Sequence, residues 1–213
     1  MIVRIDDFPT GIRPILEDFE KLYWILNEFE NNKIFFILGI VPSILTQSMI
    51  DRLKNYKYMI PACHGYNHKY NELSQVLIEK KDIYNEHTCM QQFDEFHDKS
   101  KTEILCDLTK AKHILQELGP NFIYMPPCNR INDNTIQALK DLDCKCILSE
   151  GSYAIDTIPV IKSDIYGKIK DLRENDTNKK VYTFHVTWEY DELFRRKSIS
   201  IDEWREKLQL LTR

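Results

Sequence analysis

Apolar side chains along this chain follow two rhythms. Short unbroken apolar runs recur near residues 2–5, 33–38, 57–62, 122–125, 145–148 and 180–184. Such runs predict strands buried on both faces. Between them, apolar residues return every three or four positions. Ile15, Leu16, Phe19, Leu22, Tyr23, Leu26 and Phe29 do so across residues 14–30, with Pro14 suited to a first helical turn. Further helices are predicted over 42–53, opened by Pro42 and Ser43, over 101–118, stopped by Gly119-Pro120, over 134–142, and over 201–211 with Ser200 or Asp202 near the cap. Residues 73–99 are polar and irregular and read as a helical or loop-like excursion. Residues 150–180 give no clear pattern. Strands alternating with helices predict an α/β fold with a largely parallel sheet. A length of 213 residues fits one domain, 1–213.

The chemistry gathers where predicted strands end. The first strand runs into Asp6-Asp7, the third into His64-Gly65-Tyr66-Asn67-His68, the fourth into Pro126-Pro127, and the last into His185. Ligands of parallel α/β folds bind at the carboxyl ends of the strands. Adjacent carboxylates repel unless a cation or a shared proton relieves them. If the strand persists through Asp6 and Asp7, the two point to opposite faces, so one could bind a metal while the other leans over a substrate. Histidines four positions apart face the same way on a helical turn and can grip one ion, and only six histidines exist in the chain. One Asp with two His makes a donor set for zinc or a similar first-row ion, cobalt or nickel included. A neighbouring carboxylate and a histidine across the site would complete the parts for amide hydrolysis.

Composition narrows the classes. The residues are 43% hydrophobic and 29% charged, as in a globular protein, and the net charge is −4. That charge, with no basic stripe interleaved with aromatics, excludes a general nucleic-acid binder. No apolar run reaches the length of a membrane span, no signal peptide is read at the start, and a cytoplasmic protein is expected. The six cysteines are read as reduced, buried thiols, because no paired C-x-x-C spacing exists for a structural zinc.

In this order, the motifs resemble the polysaccharide deacetylase family (the NodB-homology domain of carbohydrate esterases). Arg4-Ile5-Asp6-Asp7-Phe8-Pro9 stands for its Asp-Asp motif, His64 to His68 for its His-x-x-x-His, Tyr124-Met125-Pro126-Pro127 for its Arg-Pro-Pro, and Thr183-Phe184-His185 for its late Leu-His element. The resemblance runs from Asp6 to about Trp188. It implies a distorted (β/α) barrel with seven strands, Asp6 as general base, Asp7, His64 and His68 as ligands of one divalent metal, and His185 as general acid. Pro126, Pro127 and Trp188 are the expected substrate contacts. Met125 stands where the family has its orienting arginine, and Arg4 or Arg130 are the candidate substitutes. Glu150, Asp156 and Asp164 are the candidates for a carboxylate behind His185.

The expected activity is removal of an acetyl or formyl group from the nitrogen of a sugar, presented as a sugar nucleotide, a lipid-linked sugar or a surface-polysaccharide precursor. A non-catalytic carbohydrate-binding protein on the same scaffold is the alternative. A phosphoester hydrolase ranks behind both, since two-metal phosphoesterases display more ligands and no Gly-rich phosphate loop is present.

Overall fold

The computed structural model describes residues 2–9, 19–68, 94–151 and 155–212. Their strands form one sheet in the order β6-β5-β4-β3-β2-β1-β8-β7. In chain order, the strands are β1 (Ile2–Phe8), β2 (Phe36–Ile40), β3 (Met59–Cys63), β4 (Ile123–Tyr124), β5 (Cys146–Leu148), β6 (Val160–Ile161), β7 (Ile165–Tyr166) and β8 (Val181–His185). The helices that matter below are α1 (Phe19–Asn31), α2 (Gln47–Leu53), α3 (Lys101–Gln116), α4 (Asp133–Asp141), α5 (Val186–Tyr190) and α6 (Ile201–Leu208). Pairing is parallel between β1 and β2, β1 and β8, β3 and β4, β4 and β5, β5 and β6, and β7 and β8.

Contacts divide the chain into two compact units, one of residues 1–40, 45–61 and 163–213, the other of 41–44 and 62–162. In the first, Val3, Ile5, Phe36, Leu38, Tyr182 and Phe184 are buried, and α1 contributes Leu22, Ile25, Leu26 and Phe29. Burying each large apolar side chain contributes roughly 1.5–3 kcal/mol. Trp204 of α6 is fully buried and closes this core against Trp24 and Phe29. In the second unit, Ile104, Leu108, Ala111 and Leu115 of α3 and Ala138 and Leu139 of α4 are buried. A capping box at Ser100 and Glu103 starts α3, and Asn132 caps α4.

Several expectations shift. Among the described residues the sheet has eight strands rather than seven, because residues 150–180 contain the two-residue strands β6 and β7. The single helix over 42–53 is two pieces, a 3₁₀ turn Pro42–Ile44 and then α2. Thr46 is extended and accepts from the amide of Met49, which restarts the helix there. The first turn of the predicted helix over 14–30 and most of the 73–99 excursion lie outside the described residues. Cys63, Cys106, Cys128, Cys144 and Cys146 carry no disulfide. No helix among the described residues is long and apolar enough to cross a membrane.

Candidate metal and acid–base site

Strand β1 delivers two buried carboxylates from a place where its pairing is irregular. Its register with β2 slips between Ile5 and Phe8, and Asp7 takes a left-handed φ of 68°. Such irregularities re-aim side chains at strand ends. Simple alternation therefore fails here, and both carboxylates are buried, Asp6 at 1% exposure and Asp7 at 6%.

Asp6 has a built partner. Residues two apart on a strand share a face. Arg4, itself buried, donates from Nε to Asp6 Oδ1 at 2.7 Å and from Nη2 to Oδ2 at 2.5 Å. This is the two-pronged arrangement that fits a guanidinium to a carboxylate. Of the two candidate substitutes for the arginine replaced by Met125, Arg4 is on Asp6. The charge of Arg130 acts on Asp94.

His185 lies opposite Asp6 in the β1–β8 register, and its Nε2 is 3.9 Å from Asp6 Oδ2. Trp188, one turn on, stacks on the imidazole at a centroid distance of 3.9 Å and an interplanar angle of 15°. The hydroxyl of Tyr166 meets Nε2 at 3.1 Å. An imidazole held on its face and at one nitrogen has a fixed aim. Asp164 is not at this ring: its carboxylate accepts the amides of Lys180 and Val181 at the start of β8. Asp156 is exposed.

The residues after His185 tie it down further. Thr187 donates its hydroxyl to Asp7 Oδ2 at 3.1 Å. Glu189 accepts the amide of Ile169 at 3.0 Å and the indole N–H of Trp204 at 2.7 Å. Burial raises the Glu189 carboxyl to about 7, against the opposing pull of Trp204, Ile169 and Lys168.

The histidine motif leaves β3 through a sharp turn. Gly65 sits at φ +70° and His68 at φ 51°. The Nδ1 of His64 is 3.1 Å from the carbonyl oxygen of Met125. A carbonyl only accepts, so Nδ1 carries the hydrogen and Nε2 presents its lone pair. That Nε2 lies 3.1 Å from Nε2 of His68. Two ring nitrogens at this separation are held together by a shared hydrogen or a shared cation. Met125 thus serves the motif through its backbone, its amide also bonding the Cys63 carbonyl at 2.7 Å. Pro127 packs beside Gly65.

Asp7 of the first unit and His64 and His68 of the second are all buried, and each offers one ligand atom of the kind a metal ion takes. The donor chemistry fits a divalent first-row ion, because His64 has its far nitrogen committed to a carbonyl and Asp7 has one oxygen held by Thr187. Sequence reading missed Thr187 and Tyr166. Only the place of Thr187, two residues after a strand-end histidine, offered a signal.

No family model matches the sequence, and no curated protein matches it. Solved structures do. The CE4 domain (Xyl-CE4) of a multidomain xylanase from the hindgut metagenome of Trinervitermes trinervoides aligns with a TM-score of 0.53 at 12% identity, covering 98% of this chain and 90% of that one. A family 4 acetyl xylan esterase from Clostridium thermocellum, solved in complex with a cobalt ion, aligns with a TM-score of 0.52 at 11% identity, covering 99% and 82%. The chain therefore has the fold of the family 4 carbohydrate esterases, the NodB-type polysaccharide deacetylase fold.

Proposed function

We propose that the chain works as a single catalytic domain and is a metal-dependent hydrolase that removes an N-acyl group, acetyl or formyl, from a sugar or a surface-polysaccharide precursor. The observation that carries the proposal is the Arg4-bound carboxylate of Asp6, next to the buried Asp7 and 3.9 Å from His185; it is supported by the two buried imidazoles of His64 and His68, whose Nε2 atoms lie 3.1 Å apart. One of the two aligned structures is an acetyl xylan esterase by name and was solved with cobalt, which supports an acyl-transfer reading and a divalent ion.

Asp7, His64 and His68 would hold the cation, zinc by preference, with cobalt or nickel able to replace it. Such an ion supplies Lewis acidity, making water acidic near neutral pH and polarising an acyl carbonyl. Asp6 takes the proton of the attacking water. Arg4 holds the Asp6 carboxylate in one orientation while it does so. His185 gives a proton to the departing nitrogen, which an amide needs more than an ester does. Trp188 fixes the plane of that imidazole and, with Pro126 and Pro127, is the proposed substrate contact. The Arg4–Asp6 bonds favour a hydrolase over a scaffold that only binds sugar, since they supply the orientation that Met125 cannot.

The test is release of acetate or formate from N-acetylated and N-formylated sugars, free, nucleotide-linked and lipid-linked, by chain stripped with a chelator and reloaded with Zn²⁺, Co²⁺ or Ni²⁺. Release that needs added metal and disappears in Asp6→Asn, with metal still bound, is the expected result. Full activity in Asp6→Asn overturns the base assignment. Metal-independent release overturns the mechanism.

A further inference from the structure

The turn that joins the two histidines is held by a carboxylate from elsewhere in the chain. The amide of Tyr66 donates to Glu95 Oε1 and Oε2 at 3.1 and 3.0 Å, and the amide of Asn67 donates to Oε1 at 2.7 Å. The approach is so close that a Cβ on Gly65 would lie 1.9 Å from Glu95 Oε2 and 2.8 Å from Cγ of Pro127. Glycine at 65 is therefore required twice, for its φ of +70° and for the room that Glu95 takes. From the other side, the amide of Ser43 bonds the Tyr66 carbonyl at 3.1 Å.

Glu95 is anchored in turn. Its neighbour Asp94 accepts the amide of Phe96 at 3.0 Å and the side-chain amide of Asn132 at 2.9 Å. The same Asn132 nitrogen donates to the Phe96 carbonyl at 3.0 Å, and the Phe96 ring is fully buried. A chain of contacts thus runs from the cap of α4, through 94–96, to the amides of Tyr66 and Asn67, two of the three between His64 and His68.

We infer that Glu95 is a positioning residue that holds the His64–His68 turn in ligand geometry before the cation arrives; the inference rests on the metal reading proposed above. Hydrogen bonds from neutral amides to a carboxylate are charge-assisted and short, and this one carboxylate takes two successive amides of the turn, those of Tyr66 and Asn67. Without it, the turn must be ordered at the expense of metal binding. Outer contacts of this kind are worth about 10–100-fold in metal affinity.

The test uses the full chain, stripped of metal, and titrates Co²⁺ against a competing chelator, with His68→Ala as the non-binding control. Glu95→Gln removes one acceptor and opposes the Tyr66 amide with an NH₂ group. Gly65→Ala pushes Glu95 away. Both are expected to bind Co²⁺ at least 10-fold more weakly than wild type at temperatures well below their melting points. A second reading needs no substitution: in the metal-free wild type, the amides of Tyr66 and Asn67 exchange slowly with deuterium. Wild-type affinity in both variants, with only a lowered melting temperature, makes Glu95 a structural residue and overturns the inference. So does fast exchange at Tyr66 and Asn67. A wild type that binds no Co²⁺ instead removes the metal reading itself.

Discussion

Arg4 and Asp6 stand two residues apart on β1, each at most 2% exposed, and meet side by side through two hydrogen bonds of 2.7 and 2.5 Å. A carboxylate in that position, out of water, is tolerable only because the guanidinium accompanies it. The same contact leaves its oxygens aimed in one direction, with His185 across from it on β8.

Replacing Arg4 by Met strands a buried carboxylate. Loss of about 3–5 kcal/mol of stability is expected, read by chemical denaturation, together with a fall in kcat. Arg4→Lys keeps the charge but not the fork, so it should recover part of the stability and little of the rate.

Thr187→Val removes the hydroxyl on Asp7 Oδ2 while keeping the volume of the side chain. Metal affinity should drop by about 10–100-fold, with Thr187→Ser close to wild type. Competition against a chromophoric chelator measures it. Equal affinity in all three chains would show that Thr187 does not orient the ligand.

His185→Ala should lower kcat by about 10²–10⁴-fold on an N-acetyl sugar. With an aryl acetate, whose phenolate leaves unprotonated, the loss should shrink. An equal loss on both substrates would point away from an acid role. Tyr166→Phe removes the hydroxyl from Nε2 and should alter kcat more than KM.

Glu189 predicts a pH signature in stability. Its carboxyl is raised from 4.5 to about 7, chiefly by burial. Between those values, the folded chain keeps a proton that the unfolded chain has lost. The stability it contributes is full below about pH 4.5 and is lost as pH rises through about 7. Glu189→Gln has no such proton. The stability difference between wild type and this variant should therefore decline from about pH 5 to about pH 7 and level off above. Denaturation curves across that range check it.

What the sequence makes legible follows from local rules. The longer strands are apolar runs because both faces are covered, so β1, β2, β3 and β8 stand out, with Asp6-Asp7, the histidine pair and His185 at their ends. Arg4 was within reach for the same reason: period two puts it on the face of Asp6. The two-residue strands β6 and β7 are too short to show any period, and so Tyr166 stayed hidden. Thr187 and Glu95 act across 180 and 28 residues of chain, on Asp7 and Asn67. Neither type nor spacing foretells such contacts; only the folded backbone does. The broken helix at Thr46 is the milder case, where a cap residue read as helix interior begins a new helix.

Metal content tests the central claim most directly. Chain purified, stripped, reloaded with Zn²⁺ and freed of excess ion should carry one equivalent by elemental analysis, and His64→Ala, His68→Ala and Asp7→Ala should each carry far less. Wild-type chain that retains no metal, or alanine variants that retain as much as wild type, would contradict it.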